Sequence, residues 1–513
     1  MTAAPTTGPP VLTESNNAKE GELAPGVLGL PSVLFCIVTG AAPLAAMLFN
    51  VPVAVLGGGY AAPAAFILAT IALTIFSVGY VAMARRVTSA GGFYTFVTRG
   101  LGRILGLGSG LLIAICYIVF AAAVVGVMGY FASTTIASLT GLDLPAWVYM
   151  IIGLALMSVF AVFHIELTAK VLGVALVAEV IVLVVLAVGI FAVGGAEGFS
   201  AAPLNPLEIF DNPAAVQVFG AGAGGVALFA AFWSWVGFEM APNYAEESRD
   251  PNRIAKAATY GSVIGLGILY MFVSYAFVSG WGLNGAAEAV KKQFAGDIAS
   301  AFYPLAETFV GHWLVVMFQV LAIVSPFACA MAFYNTGARY LFSLAREGVA
   351  PAPLAKTSKH HSPAAASMTV TVLVGLIVLG FTVYDSSTEG ALLKLGTWAP
   401  LMGVFGILGV QALTSFAVIR YFLTTARDGF HWFTTLVAPV IGAAAMIGAM
   451  YLLMENRPAL SGDAEVPFIK YLPEAVVLMF LLGVGIALWL RAKKPAQYEV
   501  LGHFEHADPV DAV

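Results

Sequence analysis

Two carboxylates stand inside long apolar runs of this chain. Glu179 lies in Ala178-Glu179-Val180, and Glu239 ends the run Trp233-Ser234-Trp235-Val236-Gly237-Phe238-Glu239. A carboxylate at membrane depth is costly unless it is paired or used. Burial disfavours its charged form, which suits a proton carrier. The plain alternative is a hydrogen-bonded carboxyl that only holds helices together. No Lys or Arg stands in the middle of any apolar run, so a neutral or cationic ligand fits better than an anion. Trp233, Trp235 and Phe238, with Tyr117 elsewhere, supply aromatic faces. Such faces stack on a carbon chain or attract an ammonium, although ordinary packing also uses them.

The backbone next to these groups is unusual. One apolar run contains Thr39-Gly40-Ala41-Ala42-Pro43 and another contains Ser234-Trp235-Val236-Gly237. Pro43 has no amide hydrogen and clashes with the preceding turn, Gly40 tolerates open backbone, and Gly237 stands beside a carboxylate. Alone, each could be a kink or a packing glycine. Together they predict two helices interrupted at mid-membrane. A half-helix starting there offers unpaired N–H groups and one ending there offers carbonyls. Amides suit a carboxylate and carbonyls an ammonium, so the pair predicts a site for a zwitterion such as an α-amino acid. Irregular backbone at that depth must be buried or line a cavity.

The elements that must position these groups follow from composition. Of 513 residues, 60% are hydrophobic and 10% charged, against about 25% charged in soluble domains. Apolar segments recur at Leu30–Leu56, Pro63–Met83, Leu107–Phe131, Trp147–Phe163, Val171–Val193, Val218–Asn243, Ala258–Trp281, Trp313–Leu341, Met368–Tyr384, Trp398–Tyr421, Phe433–Leu453 and Tyr471–Leu490. The expectation is an all-α integral membrane protein of twelve transmembrane helices with both termini on one side. Of the 23 Lys and Arg residues, all but Lys291, Lys292, Lys394, Arg457 and Lys470 then fall on the side of the termini, which marks that side cytoplasmic. The interrupted segments are the first and sixth, the same place in two halves of five helices, as an inverted repeat requires. The stretches Gly91–Arg103 and Ala286–Phe309 also correspond, on opposite faces. The chain thus divides into a tail at 1–26, a ten-helix core at 27–421, two further helices at 422–490 and a tail at 491–513. The first tail, Met1–Gly26, has no charged stretch before an apolar core and is not read as a cleavable signal.

Several chemistries are set aside. The net charge of -5 and the absence of basic runs give no nucleic-acid patch. Cys36, Cys116 and Cys329 fall in apolar segments, without metal or disulfide spacing, and read as buried thiols. Gly220-Ala221-Gly222-Ala223-Gly224-Gly225 fits a dinucleotide pattern but enters a membrane segment with no strand before it, so close helix packing explains it. Ser109 in Gly108-Ser109-Gly110 has no partner base, and His360, His361, His503 and His506 fall in loops or the tail. Neither an enzyme nor a cofactor is expected.

Three separated motifs resemble the amino acid–polyamine–organocation permease superfamily. They are Tyr80–Arg86 with Ala90-Gly91-Gly92-Phe93-Tyr94; Gly237-Phe238-Glu239 followed by Ala245–Arg253; and Asn335–Arg339 followed by Ala345-Arg346-Glu347-Gly348. The resemblance covers about ten segments and implies the leucine-transporter-type fold, alternating access, and amino acid or amine substrates. It places the unwound substrate-binding stretches on Thr39, Gly40, Ala41, Ala42 and Pro43 and on Ser234, Trp235, Val236 and Gly237. Trp233 and Glu239 are similar to the substrate-contacting tryptophan and proton-sensing glutamate of a bacterial arginine/agmatine antiporter. Some proton-coupled relatives carry a lysine in the fifth segment, where this chain has Glu179. The usual glycine-rich run of the first segment is replaced by Thr39-Gly40-Ala41-Ala42-Pro43, and Ile254-Ala255-Lys256-Ala257 stands where a proline is usual. The expected function is a cytoplasmic-membrane permease, both termini cytoplasmic. It would import an amino acid or amine coupled to protons, with Glu179 or Glu239 carrying the coupling charge. Its partners would be a small-molecule substrate and the bilayer. An exchanger, a sodium symporter and a nutrient sensor that binds without transport are the alternatives.

Overall fold

The computed structural model describes residues 26–89, 91–162, 165–211, 223–358, 362–461 and 466–502, and for 162, 165–172, 460 and 461 the backbone alone. The tails before residue 26 and after 502, Ala90, the glycines Gly220 and Gly222, and His360, His361, His503 and His506 lie outside the described residues. Every described element is helical, and an isolated backbone bridge joins Leu28 to Ser248. Among the described residues, 10 helical stretches are long and apolar enough to cross a membrane, and Ala146–Ala161 is a shorter apolar helix. The first stretch, Leu30–Ala84, has 55 residues, far longer than the ~20 that one crossing needs.

That stretch is divided. Helix α1 covers Leu30–Ala41 and α2 covers Pro43–Gly58, with Ala42 between them at φ 41°, ψ 72°. A residue before proline is kept out of the helical region, and Pro43 suits the first position of a new helix. After the short turn Gly59–Ala61, α3 runs over Ala62–Ala84. Next come α4 (Gly92–Leu101), the 38-residue α5 (Arg103–Thr140), α6 (Ala146–Val162) and α7 (Ile165–Val193). The sixth expected segment is α8, Gly224–Trp235, then a break at Val236 and Gly237, then a 3₁₀ helix over Phe238–Glu247. The second arm is therefore not α-helical; Pro242 stands inside it and removes one helix donor.

The remaining helices are α9 (Pro251–Trp281), α10 (Gly285–Phe294), α11 (Phe302–Phe309), α12 (His312–Arg346), α13 (Ala364–Tyr384), α14 (Gly396–Thr424), α15 (Ala438–Ser461), α16 (Leu472–Lys493) and α17 (Pro495–Glu499). The core lies where α2, α5, α8 and the 3₁₀ arm are almost wholly buried. On the outside, Val372, Leu376 and Val383 of α13 and Leu478 and Leu481 of α16 are exposed, a surface suited to acyl chains. The two half-helices α2 and α8 meet closely at Gly57. A Cβ there would lie 2.5 Å from Val226 Cβ and 2.6 Å from the Ala227 nitrogen, so a larger residue would push the interrupted helices apart. Helix α4, within the stretch Gly91–Arg103, is packed inward, with Phe93, Tyr94 and Phe96 all buried.

Candidate functional site

The two interruptions touch. Gly237 adopts φ 118°, and a Cβ on it would lie 3.2 Å from the Gly40 carbonyl carbon. Glycine meets both demands, a left-handed backbone and a close neighbour. Beside this contact is a small cavity of about 40 Å³, lined by Gly40, Ala41, Ala42 and Asn50 and by Trp233, Phe333 and Cys329. That is room for a few waters, well short of the roughly 300–1,000 Å³ of an open ligand pocket. Two of the lining rings, Trp233 and Phe333, cluster with Phe120, with ring centroids 4.8 Å (Phe120–Trp233), 5.4 Å (Phe120–Phe333) and 5.9 Å (Trp233–Phe333) apart.

The expected unpaired amides at the start of α2 are paired. Leu44 N–H donates to Glu179 Oε2 at 3.2 Å, and Ala45 N–H donates to Ser325 Oγ at 3.1 Å. The Ser325 hydroxyl in turn donates to Glu179 Oε2 at 2.8 Å. A carboxylate at a helix N-terminus is favoured by hydrogen bonding and by the helix dipole. At the end of α1, Cys329 Sγ donates to Gly40 O at 2.9 Å, and Tyr270 Oη lies 3.2 Å from both Ala41 O and Ser234 O. Ala42 N–H is turned back onto Val38 O and Thr39 O.

Glu239 governs the second break. Its Oε2 accepts from Gly237 N–H at 3.1 Å and its Oε1 from Tyr117 Oη at 2.6 Å. Tyr80 Oη donates to the Glu239 carbonyl at 2.6 Å. Tyr117 stacks on Tyr340 with centroids 5.7 Å apart, so Glu239 is tied to α3, α5 and the break itself. Of the residues singled out in the sequence, Gly40, Ala41, Ala42 and Trp233 line the cavity. Ser234 sits behind it, bonded to Asn50. Trp235 faces away, against Phe66 and Tyr270 and bonded to Val263 O. Thr39, Pro43 and Val236 are backbone parts of the breaks, and Thr39 Oγ1 is buried without a partner. Asn50, Ser325, Tyr270, Cys329 and Phe333 were not singled out, although Asn50 is a lone amide in an apolar run and could have been.

The end of the molecule carrying residues 26 and 502 is closed by charge pairs. Arg339 Nη2 meets Glu247 Oε2 at 2.7 Å and Arg346 Nη2 meets Glu246 Oε1 at 2.9 Å. Arg339 also lies 4.5 Å over the Tyr244 ring. These pairs join the 3₁₀ arm to α12, and they explain the charged residues of two of the sequence motifs. Beyond α12, Glu347 accepts from Tyr94 Oη and from Gly502 N–H. Burial pushes its carboxyl up to about 7, against the opposing effect of those two donors and of Arg346. In the loop before α14, Lys394 and Ser387 hold Asp385 down to about 2.

Comparison with known proteins places these features in a family context. A family model described as amino acid permease matches residues 28–482. The chain is 23% identical, over 78% of its length and 82% of the relative's, to the low-affinity putrescine importer PlaP of Escherichia coli (strain K12). It is 24% identical, over 81% of its length and 84% of the relative's, to the branched-chain amino acid permease BcaP of Bacillus subtilis (strain 168). Over 54% of its length and 48% of the relative's, it is 25% identical to the vacuolar cationic amino acid transporter 8 of Arabidopsis thaliana.

Proposed function

Because the chain belongs to the amino acid permease family, and is a multi-pass membrane transporter rather than an enzyme, we propose that it imports an amino acid or amine by alternating access driven by protons. The observation that carries this reading is the small cavity between two interrupted helices, walled by Gly40 to Ala42 and by Trp233.

In this reading the chain makes twelve membrane crossings, arranged as two inverted halves of five, plus two. The 55-residue first stretch turns at Gly59–Ala61 and makes two crossings, and the shorter α6 makes one more. Both termini then lie on the cytoplasmic side of the cell membrane, where most Lys and Arg fall. The Arg339–Glu247 and Arg346–Glu246 pairs close the cytoplasmic exit and part when substrate is released.

Glu239 is the proton carrier in this reading. Ionised, it accepts from both Tyr117 and Gly237 N–H. Protonated, one oxygen must donate, so one of those contacts is lost or reversed. The proton state therefore bears on the backbone of the break, and through it on the cavity wall. Uptake of labelled amino acids and amines into proteoliposomes, with and without an inward pH gradient, tests the reading. A gradient should drive accumulation of at least one substrate; a folded, reconstituted protein that moves none of the panel would overturn transport, and gradient-independent uptake would overturn the proton coupling.

A further inference from the structure

The donors and acceptors around the cavity are not balanced. At the start of α2, Pro43 has no N–H, Leu44 and Ala45 give theirs to Glu179 and Ser325, and Ala46 gives its own to Ala42 O. At the second break, Gly237 N–H is taken by Glu239. The first turn of α2 thus has no amide left for a carboxylate, and no Lys or Arg lines the cavity. Acceptors, by contrast, remain. Ser234 donates its proton to Ala230 O at 2.8 Å and accepts from Asn50 Nδ2 at 2.8 Å. Asn50 Oδ1 is then buried without a partner, on a residue only 3% exposed that lines the cavity. A single Tyr270 hydroxyl proton is shared between Ala41 O and Ser234 O, and Gly40 O has only a weak thiol donor. A buried acceptor with no donor is costly, and a ligand rich in N–H groups removes that cost.

We propose that this site prefers an amine without an α-carboxylate: Glu179 fills the amide end of α2 where a substrate carboxylate would bind, and Asn50 Oδ1 with the carbonyls of Gly40 and Ala41 receives the ammonium. The proposal rests on the transport reading and narrows its substrate class. Asn50 sets the preference by accepting from the ammonium, and Glu179 sets it by occupying the Leu44 amide.

The test uses the full chain in proteoliposomes with two matched pairs, ornithine against 1,4-diaminobutane and leucine against 3-methylbutylamine. Each pair differs by the carboxylate alone. Each amine should exceed its parent in kcat/KM by about tenfold or more, the size of effect expected when a site lacks the partner a polar group needs. Equal or better transport of the parent amino acid in either pair overturns the proposal while leaving transport intact; no flux of any of the four overturns both. Glu179→Ala frees Leu44 N–H and should shift the amine-to-amino-acid ratio at least tenfold toward the amino acid. Glu179→Gln keeps an acceptor for Leu44 and should leave the ratio close to the parent's. Asn50→Leu should raise the amine KM and leave the amino acid KM unchanged. A ratio unmoved by Glu179→Ala and Asn50→Leu, with flux retained, overturns the assignment, because a purely structural role would lower both substrates together.

Discussion

The two interrupted helices are fastened in opposite ways. The first break is held from outside its own segment, by Glu179 of α7, Tyr270 of α9 and Ser325 and Cys329 of α12. The second is held largely by its own Glu239, two residues past Gly237, with Tyr117 and Tyr80 gripping that residue from α5 and α3. One is a joint clamped by three other helices. The other is a joint whose lock is one carboxyl on the same strand of chain. On the proposed coupling, a proton at Glu239 would bear on the second joint through its own stretch of chain, whereas the first is held by groups from three helices. The difference suggests a division of labour, in which the first break shapes the site and the second responds.

Glu239→Gln is the harshest test of that division. It keeps size and one acceptor but removes the proton cycle. Accumulation driven by a pH gradient should be lost, while counterflow exchange of preloaded substrate survives. Surviving gradient-driven accumulation would move the coupling role elsewhere. At the first break, Ser325→Ala strips a donor from Glu179 and an acceptor from Ala45 N–H. Leaving those buried groups short of partners should cost about 1–3 kcal/mol, read by unfolding in mixed micelles, with Ser325→Thr close to the parent. An equal loss in the threonine variant would point to packing rather than hydrogen bonding.

The backbone gives a paired test of opposite sign. Gly237→Ala forces a side chain into φ 118°, facing the Gly40 carbonyl carbon at 3.2 Å, and should cost about 1–2 kcal/mol. Ala42 is the non-glycine residue with positive φ among those described. There Ala42→Gly should relieve strain, offset by the entropy of glycine, for a net gain of up to about 1 kcal/mol. Thermal unfolding of both variants reads the contrast, and a destabilised Ala42→Gly protein would mean that the methyl group is worth more to the cavity wall than the strain costs.

Much of this was legible in the sequence because it was local. Pro43, Gly237 and two carboxylates in apolar runs announce themselves without knowledge of neighbours. Trp233 and Trp235 illustrate the limit. Two residues apart on a helix, they point to different faces, so one lines the cavity and the other packs against Phe66 and Tyr270. Ser325, Tyr270 and Cys329 act only because α9 and α12 bring them to the first break, and no spacing in the chain reveals that. Glu179 was legible as a carboxyl at depth, but its partner was not: it holds the Leu44 amide, one of those expected to await a substrate.

The second arm extends the contrast to its far end. The 3₁₀ helix leads to Glu246 and Glu247, paired with α12, while α1 is tied there by main chain, with Leu28 N–H on Glu247 O and Leu28 O receiving Arg249 N–H. Next to those pairs, Glu347 holds Tyr94 and the amide of Gly502, docking the segment after α16 under the core. Burial raises the Glu347 carboxyl from 4.5 to about 7. A carboxyl raised in the docked state binds its proton more tightly there than when released. Its contribution to docking is therefore fully present below about pH 4.5 and is lost as pH rises through about 7. Hydrogen exchange over residues 495–502 should be slower at about pH 6 than at about pH 8 after correction for intrinsic rates. Glu347→Gln should flatten that difference, and a wild-type segment equally protected at both would show that Tyr94 and Gly502 hold the ionised carboxylate as well as the neutral acid.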